Sequence, residues 1–264
     1  MISTAAMIEL ESADAYVTVH PEQGARIGDL QVFGRPLLHT DTGRGPTLWG
    51  CFPMAPWAGR VRDGQFAFDD RQYQLQCNLA PHAIHGTTFD ASWEVLDAGR
   101  DYCALQTPLA WPFGGMAHQH FHLHDAGLTC VLTVYARELM PAVIGWHPCF
   151  HTPDRADLQF GRMYRRDEFG ITVPDLIDPA PHPWDDCFLD PQRPLRLEWP
   201  ELTLELTSDC DHWVVFDGFT DMLCVEPQSG PPDAFTIGGA TRLAPGDMLQ
   251  RHLAFQWRPR NPQE

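Results

Sequence analysis

Basic residues are scarce in this chain. Its 264 residues hold 18 Lys plus Arg against 35 Asp plus Glu, a formal net charge of −17. A surface of that sign repels phosphate backbones and anionic headgroups, so neither nucleic acid nor a membrane surface is expected as a partner. Long apolar runs are missing as well, and none approaches the length of a bilayer span. Met1–Leu10 has no basic segment leading into an apolar core, which predicts a chain without a secretory signal. No C-x-x-C spacing occurs. The cysteines at 51, 77, 103, 130, 149, 187, 210 and 224 are scattered, which argues against a zinc ribbon or a dithiol redox motif. With the signal missing, they predict reduced and mostly buried thiols in a cytoplasmic protein. Neither G-x-G-x-x-G nor G-K-[ST] is present, so no nucleotide cofactor is expected.

Helical stripes are also lacking beyond about three turns. Period-two patterning takes their place, in Ala15–Val19, Ile27–Val32, Gln65–Phe68, Trp93–Leu96, Thr129–Tyr135, Leu202–Leu206 and Trp213–Phe216. Turn residues separate these runs, and most of the 24 prolines and 21 glycines fall between them. Many short strands with little helix predict an all-β sandwich or barrel. Pro174–Pro194 reads as a long loop packed on the body through Trp184, Cys187, Phe188 and Leu189. Without repeats, low-complexity tracts or a linker, residues 1–264 are expected to form one domain.

Polar side chains gather in four glycine- and aromatic-rich segments. They are Pro56-Trp57-Ala58-Gly59-Arg60-Val61, Asn78 through Gly86 with His82 and His85, Gly145-Trp146-His147-Pro148-Cys149-Phe150-His151, and Leu223 through Asp233. A histidine after an apolar run is most often structural. Glu226 is less ordinary, because it follows Met222–Val225 directly and precedes Pro227, offering a carboxylate at a strand's rim.

Taken in order, these segments resemble the aldose 1-epimerase (galactose mutarotase-like) family. Gly59-Arg60-Val61 before Gly64-Gln65-Phe66 is similar to the family's Asn-Arg-Ile turn and following strand. Asn78 with Ile84-His85-Gly86 looks like its N…LHGG motif, and His147-Pro148-Cys149-Phe150 like its H-P-Y-F. Asp185-Asp186-Cys187-Phe188 resembles its Asp-x-x-Phe, and Glu226 with Pro232-Asp233-Ala234 its terminal Glu…Pro-Asp-Ala. Gly24-Ala25-Arg26-Ile27 and Leu243…Pro245-Gly246 extend the likeness over nearly the whole chain. Gly59, Thr87 and Cys149 depart from it, standing for asparagine, a second glycine and tyrosine.

The resemblance implies a large antiparallel β-sandwich (a supersandwich) that interconverts the anomers of a free aldose by opening and closing the ring. That reaction needs one base and one acid and gives a cofactor or metal no task. Glu226 would be the base and His147 the acid, roles that suit a carboxylate and an imidazole near neutral pH. His85, Asp185 and Asn78 would serve sugar binding, with Arg60 donating from its planar fork. Trp57 and Trp146 could form apolar platforms for a sugar face, or fill the core. His85, His147, Asp185 and Glu226 should line one cleft with Arg60 at its edge, and Glu226 should face His147 across the width of a pyranose. The partner implied is a small sugar, and monomer and homodimer stay equally open. Two other readings compete: a non-catalytic carbohydrate-binding sandwich, and a metal-dependent cupin-like enzyme using His118, His120, His122 and His124, which an extended chain puts on one face.

Overall fold

The computed structural model describes residues 7–260, so the ends of the expected 1–264 domain lie outside the described residues. Period-two runs become strands because alternation lets one side of each face the core. Strands span Ala15–His20, Arg26–Val32, Gln65–Phe68, Gly127–Tyr135, Leu202–Ser208 and His212–Phe216. Trp93 falls just before the strand Glu94–Ala98, its indole N–H donated to the Thr88 carbonyl at 3.0 Å. Among the described residues the one α-helix is Ala234–Ile237.

Two large antiparallel sheets, of eleven and eight strands, make the body. Gly127–Tyr135 and Met248–Pro259 are central in the smaller sheet and pair along nine residues. Their alternate side chains Cys130, Leu132, Val134, Leu253 and Phe255 are buried and join one hydrophobic cluster running through both sheets. The chain is therefore an all-β sandwich.

Pro174–Pro194 corrects the expectation of a loop. Thr172–Ile177 and Asp185–Pro191 are strands of the larger sheet. Asp185–Pro191 is paired on both sides and buries Cys187 and Phe188. Pro174 is tolerated because Thr172–Ile177 is the outermost strand, where a missing N–H leaves no ladder bond unmade. Proline content hid the strand pattern.

In the middle of the larger sheet, Cys51–Met54, Gly145–His151 and Met222–Gln228 lie side by side. Nearly every residue of the three is buried, so these strands are covered on both faces. Trp146 and Phe150 point into the sandwich. Trp146 is fully buried, and its indole N–H donates to Gln119 Oε1 of the opposite sheet at 3.1 Å. Trp146→Ala should therefore cost about 3–5 kcal/mol of stability, as for other buried aromatics cut to alanine. Urea unfolding measures this, and a loss under about 1 kcal/mol would contradict the inward placement.

Candidate active site

Antiparallel register decides which side chains meet on the other face of these strands. Gly145 stands opposite Gln228 and Cys149 opposite Cys224. The same register puts His147 opposite Glu226, and alternation turns both away from the core. His147 Nε2 lies 3.1 Å from Glu226 Oε1, with both side chains nearly closed to solvent. The Gln228 amide donates to Glu226 Oε2 at 3.2 Å. On the far side of the imidazole, Nδ1 is 3.4 Å from Cys149 Sγ. Phe52 stacks on the ring at 4.6 Å between centroids, and the Arg26 guanidinium lies 4.4 Å from the centroid of Phe52. Arg26 is itself buried and held by the carbonyls of Trp49, Pro46 and Phe89. The imidazole is thus fixed on three sides.

Burial opposes charge on both members of the pair, and their neighbours decide the outcome. For His147, burial pulls the pKa down, but Glu226 and Cys149 outweigh it and hold it at about 9. For Glu226, burial raises the pKa and His147 lowers it, while Cys149 and Asp185 add to the rise, leaving it at about 7. Burial would raise the Cys149 thiol, yet the contacts with Cys224 and His147 bring it below its ordinary value. His85 is pushed well below the ordinary imidazole value by burial, then by His147 and Arg60. One imidazole of the site is built to hold a proton and the other to lack one.

Above the pair opens a cavity of about 220 Å³, lined among others by Arg60, His85, His147, Asp185, Arg166 and Glu226. Arg60 and Arg166 approach Asp185 Oδ2 at 3.4 and 3.5 Å, and Arg166 Nε reaches Asp186 Oδ1 at 2.7 Å. His85 sits at φ +60° ahead of Gly86 at φ +79°. A Cβ on Gly86 would fall 2.0 Å from the Ala55 carbonyl oxygen, so only glycine lets the turn press against that strand. Asn78 clamps the segment from outside, its amide donating to the Ile84 carbonyl at 3.0 Å and its oxygen accepting from the Ile84 N–H at 2.8 Å.

Five of the expected residues therefore share one cavity: Arg60, His85, His147, Asp185 and Glu226. Three do not. Trp146 faces the core, because it precedes His147 on one strand and neighbouring residues point to opposite faces. Trp57 is buried and lines, with Asn78, a separate cavity behind the His85–Gly86 turn. Asn78 can act on the cavity only through the backbone it holds. The expected pyranose-wide gap between Glu226 and His147 is also corrected, since the two are in contact. Gln228 and Arg166 were missed. Period two counted on from Glu226 reaches Gln228, whereas nothing local marks Arg166, which the sheet brings in.

His118, His120, His122 and His124 do share a strand face, the outward face of Met116–His124, while Ala117, Gln119, Phe121 and Leu123 are buried. Among the described residues no metal-sized group of three or more donors includes any of them. The one such group is His147, Cys149 and Cys224.

The two large antiparallel sheets define a sandwich of the galactose mutarotase-like kind. The family model for aldose 1-epimerase matches residues 6–256, and the chain belongs to that family. The uncharacterized protein YphB of Escherichia coli K12 is 28% identical over 240 residues, 78% of this chain and 83% of that protein. An aldose 1-epimerase-like crystal structure, also from Escherichia coli K12, superposes with a TM-score of 0.86 at 23% identity, covering 96% of this chain and 99% of that one. Galactose 1-epimerase from Lactobacillus acidophilus gives a TM-score of 0.82 at 17% identity, over 96% and 94% of the two chains.

The opposing influences on His147 can be separated. In Glu226→Gln the carboxylate that sustains the charge is gone and burial prevails, so the His147 pKa should fall well below about 9. Titration of the His147 ring resonances by NMR reads this directly. A ring still titrating near 9 would show that the pair does not set its charge.

Proposed function

We propose that this protein is an aldose 1-epimerase that interconverts the α and β anomers of a free, uncharged aldose. The observation that carries the reading is the buried His147–Glu226 pair, 3.1 Å apart beneath an open cavity. The two oxygens that exchange protons in a hemiacetal, O1 and the ring oxygen, sit on the same carbon. An acid and a base that lie side by side beneath the cavity can therefore reach both.

In the proposed cycle Glu226 takes the O1 proton while His147 delivers its proton to the ring oxygen, and the bond from C1 to that oxygen breaks. The aldehyde turns about C1–C2. Closure on the other face returns one proton to His147 and the other to O1, so charge and atoms balance. Neutral His85 can donate or accept toward a sugar hydroxyl, and Asp185 and Arg60 flank the cavity with further partners. Arg60 and Arg166 are both already paired with carboxylates, which favours a neutral sugar over a phosphorylated one. The chain has no lysine, so ring opening through a side-chain imine has no donor. A binding-only sandwich gives no reason to keep an imidazolium and a carboxylate buried together, since removing charge from water is costly.

Two forms must coexist for this chemistry, Glu226 ionised and His147 protonated. The rate should rise as pH increases through about 7 and fall again as it passes about 9. Glu226→Gln and His147→Asn should each lose about 10²–10⁴ in kcat, with sugar binding largely kept. His124→Asn, on the outward strand, should leave the rate unchanged, and so should prolonged chelation. Anomer exchange by polarimetry or saturation-transfer NMR, on variants shown to be folded by circular dichroism, tests all of these. A Glu226→Gln protein that keeps most of its rate would falsify the reading.

A further inference from the structure

Next to the His147–Glu226 rung, the same ladder carries a second pair. Cys149 and Cys224 are register partners, both fully buried, with their sulfurs 3.8 Å apart. Their donors and the His147 ring nitrogen all lie within 4.8 Å of one another, and Cys149 Sγ is 3.4 Å from Nδ1. We propose that Cys149, Cys224 and His147 form a binding site for one thiophilic d¹⁰ cation of the zinc or copper(I) class, whose occupation switches off the acid–base pair beside it.

Geometry carries the case. Around a tetrahedral zinc, Zn–S of about 2.3 Å and Zn–N of about 2.0–2.1 Å imply S···S edges of about 3.8 Å and S···N edges of about 3.5 Å. The two shortest separations here, 3.8 and 3.4 Å, are those edges. Two donors come from alternate positions of one strand and the third from the strand beside it, so all three point to one face. These strands are central and covered on both sides, and the donors need little rearrangement to close on an ion. Two sulfurs with one imidazole select a soft ion over magnesium or calcium. A route exists, because Leu48 and Phe216 pack on the cluster of Cys149, Met222 and Cys224 and also line the cavity, so two partly exposed side chains separate the cysteines from it.

The consequence for catalysis follows from the ring. A metal on Nδ1 takes the lone pair that must carry the second proton of an imidazolium, so His147 keeps only its Nε2–H, whose loss would leave a metal-bound imidazolate and which is a far weaker acid toward the ring oxygen. The inhibitory half of this proposal rests on the function proposed above, whereas the binding half does not. The ion is an inhibitor here, so chelation is expected to preserve or restore activity.

Cadmium titration of the reduced, metal-free protein tests it, in a Cys77→Ser background that removes the exposed thiol. One equivalent of Cd²⁺ should give the ultraviolet thiolate-to-cadmium charge-transfer band, and Zn²⁺ should displace it. Anomer exchange should disappear with the same midpoint and return on adding chelator. Cys149→Ser and Cys224→Ala should each weaken Cd²⁺ binding more than about 100-fold, since even the loss of a ligand's outer partner costs about 10–100-fold. No stoichiometric band, or one that survives both substitutions in folded protein, overturns the site. Full activity with the site saturated overturns the switch. A band in a protein that has no epimerase activity even when metal-free would count against the proposed function and leave the site standing.

Discussion

Everything at the centre of this molecule depends on one antiparallel ladder, Gly145–His151 against Met222–Gln228. Its register sets His147 opposite Glu226, and its alternation sends Trp146 to the core and His147 to the cavity. A buried ion pair seldom repays its desolvation on Coulomb attraction alone; additional hydrogen bonds must hold the remaining lone pairs and protons. Gln228 meets the second oxygen of Glu226, Cys149 meets the second nitrogen of His147, and Phe52 braces the ring. The cost is met locally, by residues two positions along the same two strands and by the next strand over.

The cavity wall has a different origin. Arg60, His85, Arg166 and the neighbours Asp185 and Asp186 arrive from four separated segments, and the charges of the two guanidiniums and two carboxylates cancel. In a chain carrying a net charge of −17, pairing these cations inside the cavity leaves a mouth that does not draw anions.

The three departures from the family pattern have structural accounts. Gly59 lies at φ +69°, a region where glycine and asparagine are both at home, and a Cβ there would come within 2.6 Å of Pro232. Thr87 does not have a positive φ, so the turn requires only the glycine before it. Cys149 is the departure with consequences, because its sulfur sits on the second nitrogen of His147 and faces Cys224.

Fold class was legible from the residues themselves, because a period of two needs nothing but neighbours to be seen. Thr172–Ile177 and Asp185–Pro191 escaped that pattern, where prolines at a sheet edge and at a strand end imitate a loop, and Tyr102–Pro108 and Met248–Pro259 were not picked out by it either. The motif order also marked Arg60, His85, His147, Asp185 and Glu226 as belonging together. Adjacent numbers could even have excluded Trp146, since a strand cannot turn Trp146 and His147 to the same face. What one dimension could not supply was contact. That His147 touches Glu226, that Arg166 reaches Asp185 and Asp186, and that Cys149 meets Cys224 depend on strand register and sheet order. Those are settled by the burial of whole strands against each other, so only the tertiary structure decided them.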